Sequence, residues 1–157
     1  MNTITQDAPT KSDLDQARIE AATEYFRKID NGDPGIGDMF TDDVQIYFPK
    51  FGTGRGKEEV GAAAQGLLGS LQSIKHDFDR MTFHVSGDHV IVEGFESGVS
   101  ADGTVWPNPD KSEGRFCNVF AFEGTLISRV HIYVDPDFTS SHSEGFLWGE
   151  AIRTVGD

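Results

Sequence analysis

The sequence predicts an α+β fold in which one curved sheet, antiparallel or mixed, wraps around a long N-terminal helix to form a cone. Three observations support this prediction. Apolar residues recur with helical spacing near the N-terminus, their spacing changes to every second residue from His76 onward, and two long apolar runs meet at a turn within residues 115–135. Because helices come first and strands follow, a sheet packed against helices is favoured, and such a cone leaves a cavity between them.

Length, charge and cysteine content limit the classes of protein to consider. The 157 residues are enough for one domain with a sizeable core. The 26 acidic and 13 basic side chains give a net charge of −13, so nucleic acid and anionic membranes are poor partners because they repel the chain. We expect a cytoplasmic protein without a secretory signal or a membrane span, since long apolar stretches are absent and Cys117 has no second cysteine to pair with.

The N-terminal part is predicted to contain an arm and a long helix. Residues 1–11 are polar and aperiodic, which indicates a flexible arm in front of a domain over residues 12–138. A cap at Ser12 or Asp13 begins the helix, which ends near Asp30. Its buried stripe consists of Ile19, Ala22, Phe26 and Ile29, with Tyr25 at the edge.

The middle of the chain is predicted to contain a short helix, a strand, a second long helix and two further strands. The short helix covers residues 36–40, and Pro49 closes a strand over Val44–Phe48. The long helix covers Lys57–Ile74, and its three glycines suggest close packing against the sheet. The two further strands cover Phe78–Val85 and His89–Val99.

Two segments are predicted to lie at the edge of the fold. Ala101–Gly114 is a polar insertion of the kind that forms a pocket rim, and we place Trp106 on the lip of the pocket. Residues 139–157 form a tail that carries Phe146, Leu147 and Trp148. Because clustered apolar side chains in a polar segment indicate a contact surface, we expect the tail to dock onto the body or onto a second subunit.

The most informative stretch is a predicted hairpin over residues 115–135, whose two apolar runs are separated by a glycine turn. The length of the turn decides which polar side chains share a face, because a slip of one residue reverses every side chain. A two-residue turn places Asn118 beside Arg129 and on the face of His131. A three-residue loop instead places Asn118 opposite Val130, in an apolar pocket.

A carboxylate that faces the cavity would supply an acid or a base, because burial raises the pKa of a carboxyl group. Glu93 and Glu96 are three residues apart on one strand, so only one of them faces the cavity. We prefer Glu93, since Ile91 and Phe95 share its face. Asp135, at the end of the last strand, is a third candidate.

The five histidines do not show the spacing of metal ligands, so we expect no metal site and no cofactor. His76 and Asp77 are neighbours, but consecutive side chains of a strand point to opposite faces. This indicates a surface position for His76 rather than a catalytic dyad. Cys117 would point away from Asn118 and pack in an interface.

Four local strings carry a resemblance to a known group. They are YFRKIDNGD at Tyr25–Asp33, FTDDV at Phe40–Val44, GKEEV at Gly56–Val60 and NVFAF at Asn118–Phe122. In this order they resemble the SnoaL-like group of the nuclear transport factor two-like superfamily, which includes ketosteroid isomerases and limonene epoxide hydrolases. The resemblance covers about residues 14–138 and implies the cystatin-like roll. This fold hosts isomerases, cyclases, hydrolases, dehydratases and binders, so it does not specify an activity.

The resemblance implies one pair of site residues. Tyr25 matches the oxyanion-hole tyrosine of the ketosteroid isomerases, and Asn118 matches the protonated aspartate beside it, whose hydrogen bond an amide can also donate. The carboxylate base of the isomerases falls on Phe48, which cannot take a proton. The last-strand aspartate of the epoxide hydrolases falls on Ile132. The comparison also favours the three-residue loop in the hairpin.

The resulting hypothesis is a pocket for a small hydrophobic carbonyl compound, in a homodimer that associates through the outer face of the sheet. As an enzyme, the protein would be a cofactor-free isomerase, cyclase or lyase, with Tyr25, Asn118 and Glu93 as the catalytic residues. The predicted lining consists of Phe48, Trp106, Phe116, Phe120, Val130, Ile132 and Val134. Two alternatives stay open: a binding module without chemistry, and a dimerising scaffold whose cavity is filled by its own side chains.

Overall fold

The computed structural model describes residues 12–142, and the predicted α+β fold is confirmed. Two α-helices, α1 (Asp13–Asn31) and α2 (Gly56–Gly69), pack against a curled eight-stranded sheet. In chain order the strands are β1 (Phe40–Phe48), β2 (Gly52–Arg55), β3 (Leu71–His76), β4 (Thr82–Ser86), β5 (His89–Ser100), β6 (Val105–Trp106), β7 (Arg115–Glu123) and β8 (Leu126–Val134).

The sheet is mixed, because one pair of strands is parallel. Its order is β2-β1-β8-β7-β5-β3, with β4 and β6 also paired to β5. β1 and β8 are parallel, and the other pairs are antiparallel. The long strand β5 changes partners along its length, since His89–Phe95 pair with β7 and Glu96–Ser100 pair with β3. The two halves of the sheet therefore meet at Glu96.

Helix α1 lies against the inner face of the sheet and contributes to the core. It begins where the Ser12 hydroxyl accepts a hydrogen bond from the N–H of Asp15 at 3.1 Å, and it ends at Gly32, which has a left-handed φ of 60°. Ala22, Tyr25 and Phe26 are buried among strand side chains. The helical stripe that the sequence predicted is thus the buried face of this helix.

Arg18 ties α1 to two hairpin turns of the sheet. Its Nε donates to the carbonyl oxygen of Gly124, in the β7–β8 turn, at 2.9 Å. Its Nη1 donates to the carbonyl oxygen of Gly87, in the β4–β5 turn, at 3.2 Å. Both glycines have a φ of 60°, a backbone angle that residues with a side chain rarely adopt. Arg18 is only 9% exposed, so both bonds are shielded from water.

Helix α2 is shorter than the predicted helix over residues 57–74. It ends at Gly69, because the N–H and the hydroxyl of Ser70 both donate to the carbonyl oxygen of Leu67 and close the last turn. The residues that follow pair with β5 as strand β3. The prediction of close packing at the three glycines of this helix is also wrong, since a Cβ added at any of them meets no described atom within 4 Å.

Two shorter elements also differ from their predictions. The short helix predicted over residues 36–40 is a 3₁₀ segment, Pro34–Met39, whose start is fixed by a hydrogen bond from the N–H of Gly35 to the Asp33 carboxylate at 2.7 Å. The strand predicted from Phe78 begins at Thr82, because Phe78–Arg80 form a second 3₁₀ segment. Neither change alters the order of the elements.

The hairpin of β7 and β8 has a two-residue turn and one extra residue in β8. Glu123 pairs with Leu126 across the turn, and the register then shifts so that Ser128 has no partner in β7. As a result Asn118 pairs with Ile132. Asn118 therefore lies on the face that a three-residue loop predicted. The prediction that it lies opposite Val130 is wrong, because Val130 pairs with Phe120.

Two predictions fall wholly or largely outside the described residues. The arm over residues 1–11 lies outside the described residues, as does most of the tail, including Phe146, Leu147 and Trp148. Within residues 12–142, no helix is long and apolar enough to span a membrane. In the same range, no group of His, Cys, Asp and Glu side chains has the arrangement of a metal site.

Candidate functional site

A cavity lies between α1, α2 and the inner face of the sheet. The space between its walls is about 360 Å³ when the open mouth is counted. The part of this space in which the centre of a water molecule fits is about 40 Å³. In this conformation it therefore has room for only a few waters. Four polar side chains face it from otherwise apolar walls. The lining residues are Tyr25, Phe26, Ile29, Phe48, Leu67, Ile74, His76, Glu96, Asn118, Ile132, Val134 and Phe138.

His76 lies between two carboxylates in the wall of this cavity. Its Nδ1 is 2.5 Å from Oδ1 of Asp30, and its Nε2 is 3.3 Å from Oε2 of Glu96. Asp30 also accepts a hydrogen bond from the backbone N–H of His76 at 2.9 Å. The side chains of His76, Asp30 and Glu96 are only 5%, 14% and 7% exposed. Only the doubly protonated imidazole can donate a proton toward both carboxylates at once.

These contacts favour the charged form of His76. Burial by itself lowers the pKa of a histidine, but the hydrogen bonds and charges of Asp30 and Glu96 outweigh burial here and raise the pKa of His76 above its ordinary value of 6.5. With both carboxylates ionised, the three side chains carry one net negative charge. The described lining residues include no lysine or arginine that would balance this charge.

Local structure explains how His76 and its two partners come together. His76 is the last residue of β3, and Glu96 is its direct partner in β5, so the two side chains share a face. Asp30 lies in the last turn of α1, four residues after the buried Phe26. It thus continues the buried stripe of the helix to the point where β3 ends.

Tyr25 and Asn118 supply two uncharged hydrogen-bond donors to the same cavity. Edge-on contacts hold the ring of Tyr25, whose centroid is 5.2 Å from that of Phe26 and 5.1 Å from that of Phe120. Burial and, to a lesser degree, the negative charge of Glu96 raise the pKa of Tyr25, so its hydroxyl keeps its proton at neutral pH. Asn118 is 3% exposed and donates without any change of charge.

Glu96 faces the cavity and Glu93 does not, so the prediction of an inward Glu93 is wrong. The Glu93 carboxylate is 64% exposed and lies 3.2 Å from Nε2 of His84. Ile91 and Phe95 share the outer face with Glu93, and that face is apolar enough to resemble a core face in the sequence. The buried residues of β5 are Val90, Val92, Gly94 and Glu96.

The side chain of His76 is only 5% exposed, which corrects the predicted surface position. Its partner is Asp30 from α1 and not its neighbour Asp77. The sequence contained one sign of this site, because Asp30 follows Ala22 and Phe26 at helical spacing and a carboxylate on a buried stripe requires a partner. That partner is 46 residues away, so spacing alone could not identify it.

The predicted lining is partly observed. Phe48, Ile132 and Val134 line the cavity together with Tyr25 and Asn118. Trp106 is 1% exposed and lies behind the wall rather than on its lip, with its ring centroid 4.7 Å from that of Phe138. Three further predicted lining residues belong to the core behind the cavity: Phe116, Phe120 and Val130.

Two other polar candidates lie away from the cavity. Asp135 is exposed, and its carboxylate accepts a hydrogen bond from the N–H of Asp137 at 2.9 Å. Cys117 pairs with Tyr133 in the sheet and lies on the face opposite to Asn118. Neither side chain lines the cavity.

Comparisons with known proteins give a family match and a fold. The model of the SnoaL-like domain matches residues 22–130. A comparison with curated proteins finds no match. An NTF2-like protein from Anabaena variabilis is 21% identical, with a TM-score of 0.66, and the match covers 84% of this chain and 98% of that one.

Two further solved structures have the same fold. A candidate SnoaL-like polyketide cyclase from Jannaschia sp. CCS1 is 15% identical over 82% of this chain and 92% of that one, with a TM-score of 0.66. TerC, crystallised with polyporic acid, is 19% identical over 76% of this chain and 92% of that one, with a TM-score of 0.62. At these identities the likeness concerns the fold alone.

Proposed function

Because the chain belongs to the SnoaL-like domain family, we propose that it binds a small, uncharged carbonyl compound in the cavity and moves a proton on it without a cofactor. One observation carries this proposal: an imidazole held between two carboxylates, Asp30–His76–Glu96, lies in an apolar wall that also presents Tyr25 and Asn118. The reaction would be an isomerisation, a cyclisation or an elimination.

The four groups divide into two roles. Tyr25 and Asn118 donate hydrogen bonds to the carbonyl oxygen, which stabilises the negative charge that develops there. The Glu96 carboxylate, which lies against His76, accepts the proton when the C–H bond next to the carbonyl breaks, and it returns the proton to oxygen or to another carbon. Asp30 holds the imidazole in place and does not contact the ligand. Glu96 thus takes the role that the sequence assigned to Glu93.

The charge of the site supports an uncharged ligand. The described lining residues offer no cation other than His76, and both of its ring nitrogens already face carboxylates. A carboxylate or phosphate ligand would therefore meet Glu96 without compensation, in a protein whose net charge is −13. The fold itself accommodates small ligands, as the structure of TerC with polyporic acid illustrates for that protein.

Hydrogen–deuterium exchange at carbon tests the chemistry directly. Cyclic enones, epoxides and polyketide-like aromatic ketones are first screened by thermal shift, since a ligand that binds the native state raises the melting temperature. A bound ketone is then incubated with the protein in D₂O, and NMR measures deuterium uptake next to the carbonyl. We expect Glu96→Gln to slow this uptake by roughly 10² to 10⁴-fold, as loss of a general base does.

The matched control is Glu93→Gln, which removes the exposed carboxylate three residues away and should leave the exchange rate unchanged. Equal rates in the wild type and Glu96→Gln would refute proton transfer at this site. Binding without any exchange would support the second candidate, a binding module in which Tyr25 and Asn118 only orient a ligand. The phenyl ring at Phe48, which cannot accept a proton, favours that candidate over the enzyme, whereas the small open volume of about 40 Å³ favours neither of them.

We further infer that the protein forms a homodimer through the outer face of the sheet. An aromatic cluster lies there, with ring centroids 5.9 Å apart for Tyr47 and His131 and 5.7 Å apart for Tyr47 and Tyr133. Tyr133 is 50% exposed. A second copy of the chain would cover these rings.

A further inference from the structure

We propose that α2 is the movable wall through which a ligand enters the cavity. The inference rests on the proposed ligand pocket but not on its chemistry. About 40 Å³ can hold the centre of a water molecule, whereas the space between the walls with the mouth included is about 360 Å³. Even a ligand of one ring cannot enter unless a wall moves, because an apolar cavity that holds benzene has a volume of about 150 Å³.

Two of the walls are held in place. Asn118 and Ile132 lie on β7 and β8, and each of these strands has a hydrogen-bonded neighbour on both sides. Helix α1 is fixed at one end by the bonds of Arg18 to the two hairpin turns and at the other by the contacts of Asp30 with His76. Moving either wall would break several shielded hydrogen bonds.

Helix α2 is held far less firmly, although Leu67 in its last turn lines the cavity. Val60 is its only buried residue. At its start the side chain of Arg55 makes no capping hydrogen bond, and the backbone N–H of Arg55 donates to the exposed carboxylate of Glu59. Gly61, Gly66 and Gly69 are exposed, and a Cβ at any of them meets no described atom within 4 Å. Close packing with described atoms therefore does not require these glycines.

The glycines instead make α2 easy to unfold locally. Each glycine raises the equilibrium constant for opening a helix by roughly fourfold relative to alanine. Three glycines together therefore raise it by up to about 60-fold. Local opening of this kind draws on the least stable element of a fold. When α2 opens, Leu67 leaves the wall and the mouth of the cavity widens.

Thiol labelling measures this opening without any ligand. In a Cys117→Ser background, Ile74→Cys places a thiol in the cavity wall, where Ile74 is 6% exposed. The uncharged reagent 4,4′-dithiodipyridine then reports how often the cavity opens. We expect the triple substitution Gly61→Ala, Gly66→Ala and Gly69→Ala to raise the melting temperature and to slow labelling at least about tenfold. Ala62→Gly, on the same helix, should speed it severalfold.

Three controls separate opening of α2 from other motions. Val134→Cys repeats the measurement from β8, in case Ile74→Cys does not fold. Val92→Cys, at a core position that is 0% exposed, reports global unfolding and should label more slowly in all backgrounds. Gly37→Ala fills another open glycine position outside α2 and should leave cavity labelling unchanged.

Two results would overturn the proposal. One is an unchanged rate of cavity labelling in the triple alanine variant despite its higher melting temperature, which would assign the opening to another wall, such as that at Phe138. The other is an equal slowing at Val92→Cys, which would assign all labelling to global unfolding. Since the assay uses no ketone, its failure is distinguishable from failure of the exchange test on Glu96→Gln.

Discussion

At the scale of single residues, His76 determines the charge of the cavity. Because its two ring nitrogens face Asp30 and Glu96, the imidazole holds its proton more firmly in the folded chain than in the unfolded chain. Folding and proton binding are therefore linked at this side chain. A histidine with a raised pKa stabilises the fold fully below its unfolded pKa, and this contribution is lost as the pH rises through its folded pKa.

We predict that His76→Gln lowers the free energy of unfolding most strongly at about pH 6 and less at pH 9. At the lower pH the substitution leaves two buried carboxylates without their cation, which costs on the order of 3 kcal/mol. As the pH rises through the raised pKa of His76, the wild type loses the same ion pair. The difference in free energy of unfolding between the two proteins therefore decreases. Urea unfolding of both proteins from about pH 6 to pH 9 measures this difference.

A difference in unfolding free energy that stays constant over this range would show that the pKa of His76 is the same in the folded and the unfolded chain. The size of the decrease gives the shift itself, since one pKa unit corresponds to about 1.4 kcal/mol.

The sequence identified the uncharged donors of the site better than its ionisable groups. Tyr25 and Asn118 were placed through the family resemblance, and both line the cavity. The sequence did not predict that Glu96 faces the cavity, because β5 has apolar residues on both faces. Hydrophobic patterning therefore does not distinguish Glu93 from Glu96. Asp30 and His76 meet through tertiary structure alone.

At the scale of secondary structure elements, Arg18 links α1 to the sheet. We predict that Arg18→Met, which keeps the length of the side chain, destabilises the fold by about 3–6 kcal/mol. The substitution removes two charge-assisted hydrogen bonds to the carbonyls of Gly87 and Gly124, each of which is worth about 1.5–3 kcal/mol when shielded. The free energy of unfolding in urea is the measurement.

Arg27→Met is the matched control on the same helix. Arg27 also bonds to two partners, Glu20 and Glu24, but its side chain is 47% exposed. Exposed pairs of this kind contribute little to stability because water screens them, so this variant should unfold close to the wild type. An equal loss of unfolding free energy in both variants would show that the hydrogen bonds of Arg18 to the two turns do not stabilise the fold.

Element boundaries were predicted less well than element types. The apolar stripe that predicted one helix over residues 57–74 combines two elements, because Leu71 and Ile74 fit helical spacing after Leu67 although they lie in β3. Pairing of β3 with β5 supplies hydrogen bonds that a local pattern does not reveal. By contrast, the predicted buried stripe of α1 is confirmed over its whole length. Local helical hydrogen bonding and burial in the core both favour a helix there.

At the scale of the whole molecule, dimerisation would bring together two chains that each carry a net charge of −13. We predict that the wild type sediments as a dimer and that Tyr133→Glu, which places a charge among the rings of the outer face, sediments as a monomer. Raising the salt concentration from about 50 to 500 mM should favour the wild-type dimer, because it screens the repulsion between the chains. Analytical ultracentrifugation measures both effects.

Val105→Glu is the control, since Val105 is 71% exposed in β6 and not part of the aromatic cluster. This variant should remain a dimer. A monomeric wild type at all salt concentrations would refute the inference. The overall architecture itself followed from the sequence, because the order of helices and strands leaves few ways to cover one sheet.

The extra residue in β8 has a consequence for comparing this chain with its distant relatives. Ile127 and Val130 are three positions apart, yet both are fully buried, because Ser128 lies between them without a partner in β7. A relative without this residue would show uninterrupted alternation. A gapless alignment across position 128 would then assign Ile132 and Val134 to the wrong side of the sheet. Evolutionary inference of cavity residues must therefore place the gap at Ser128.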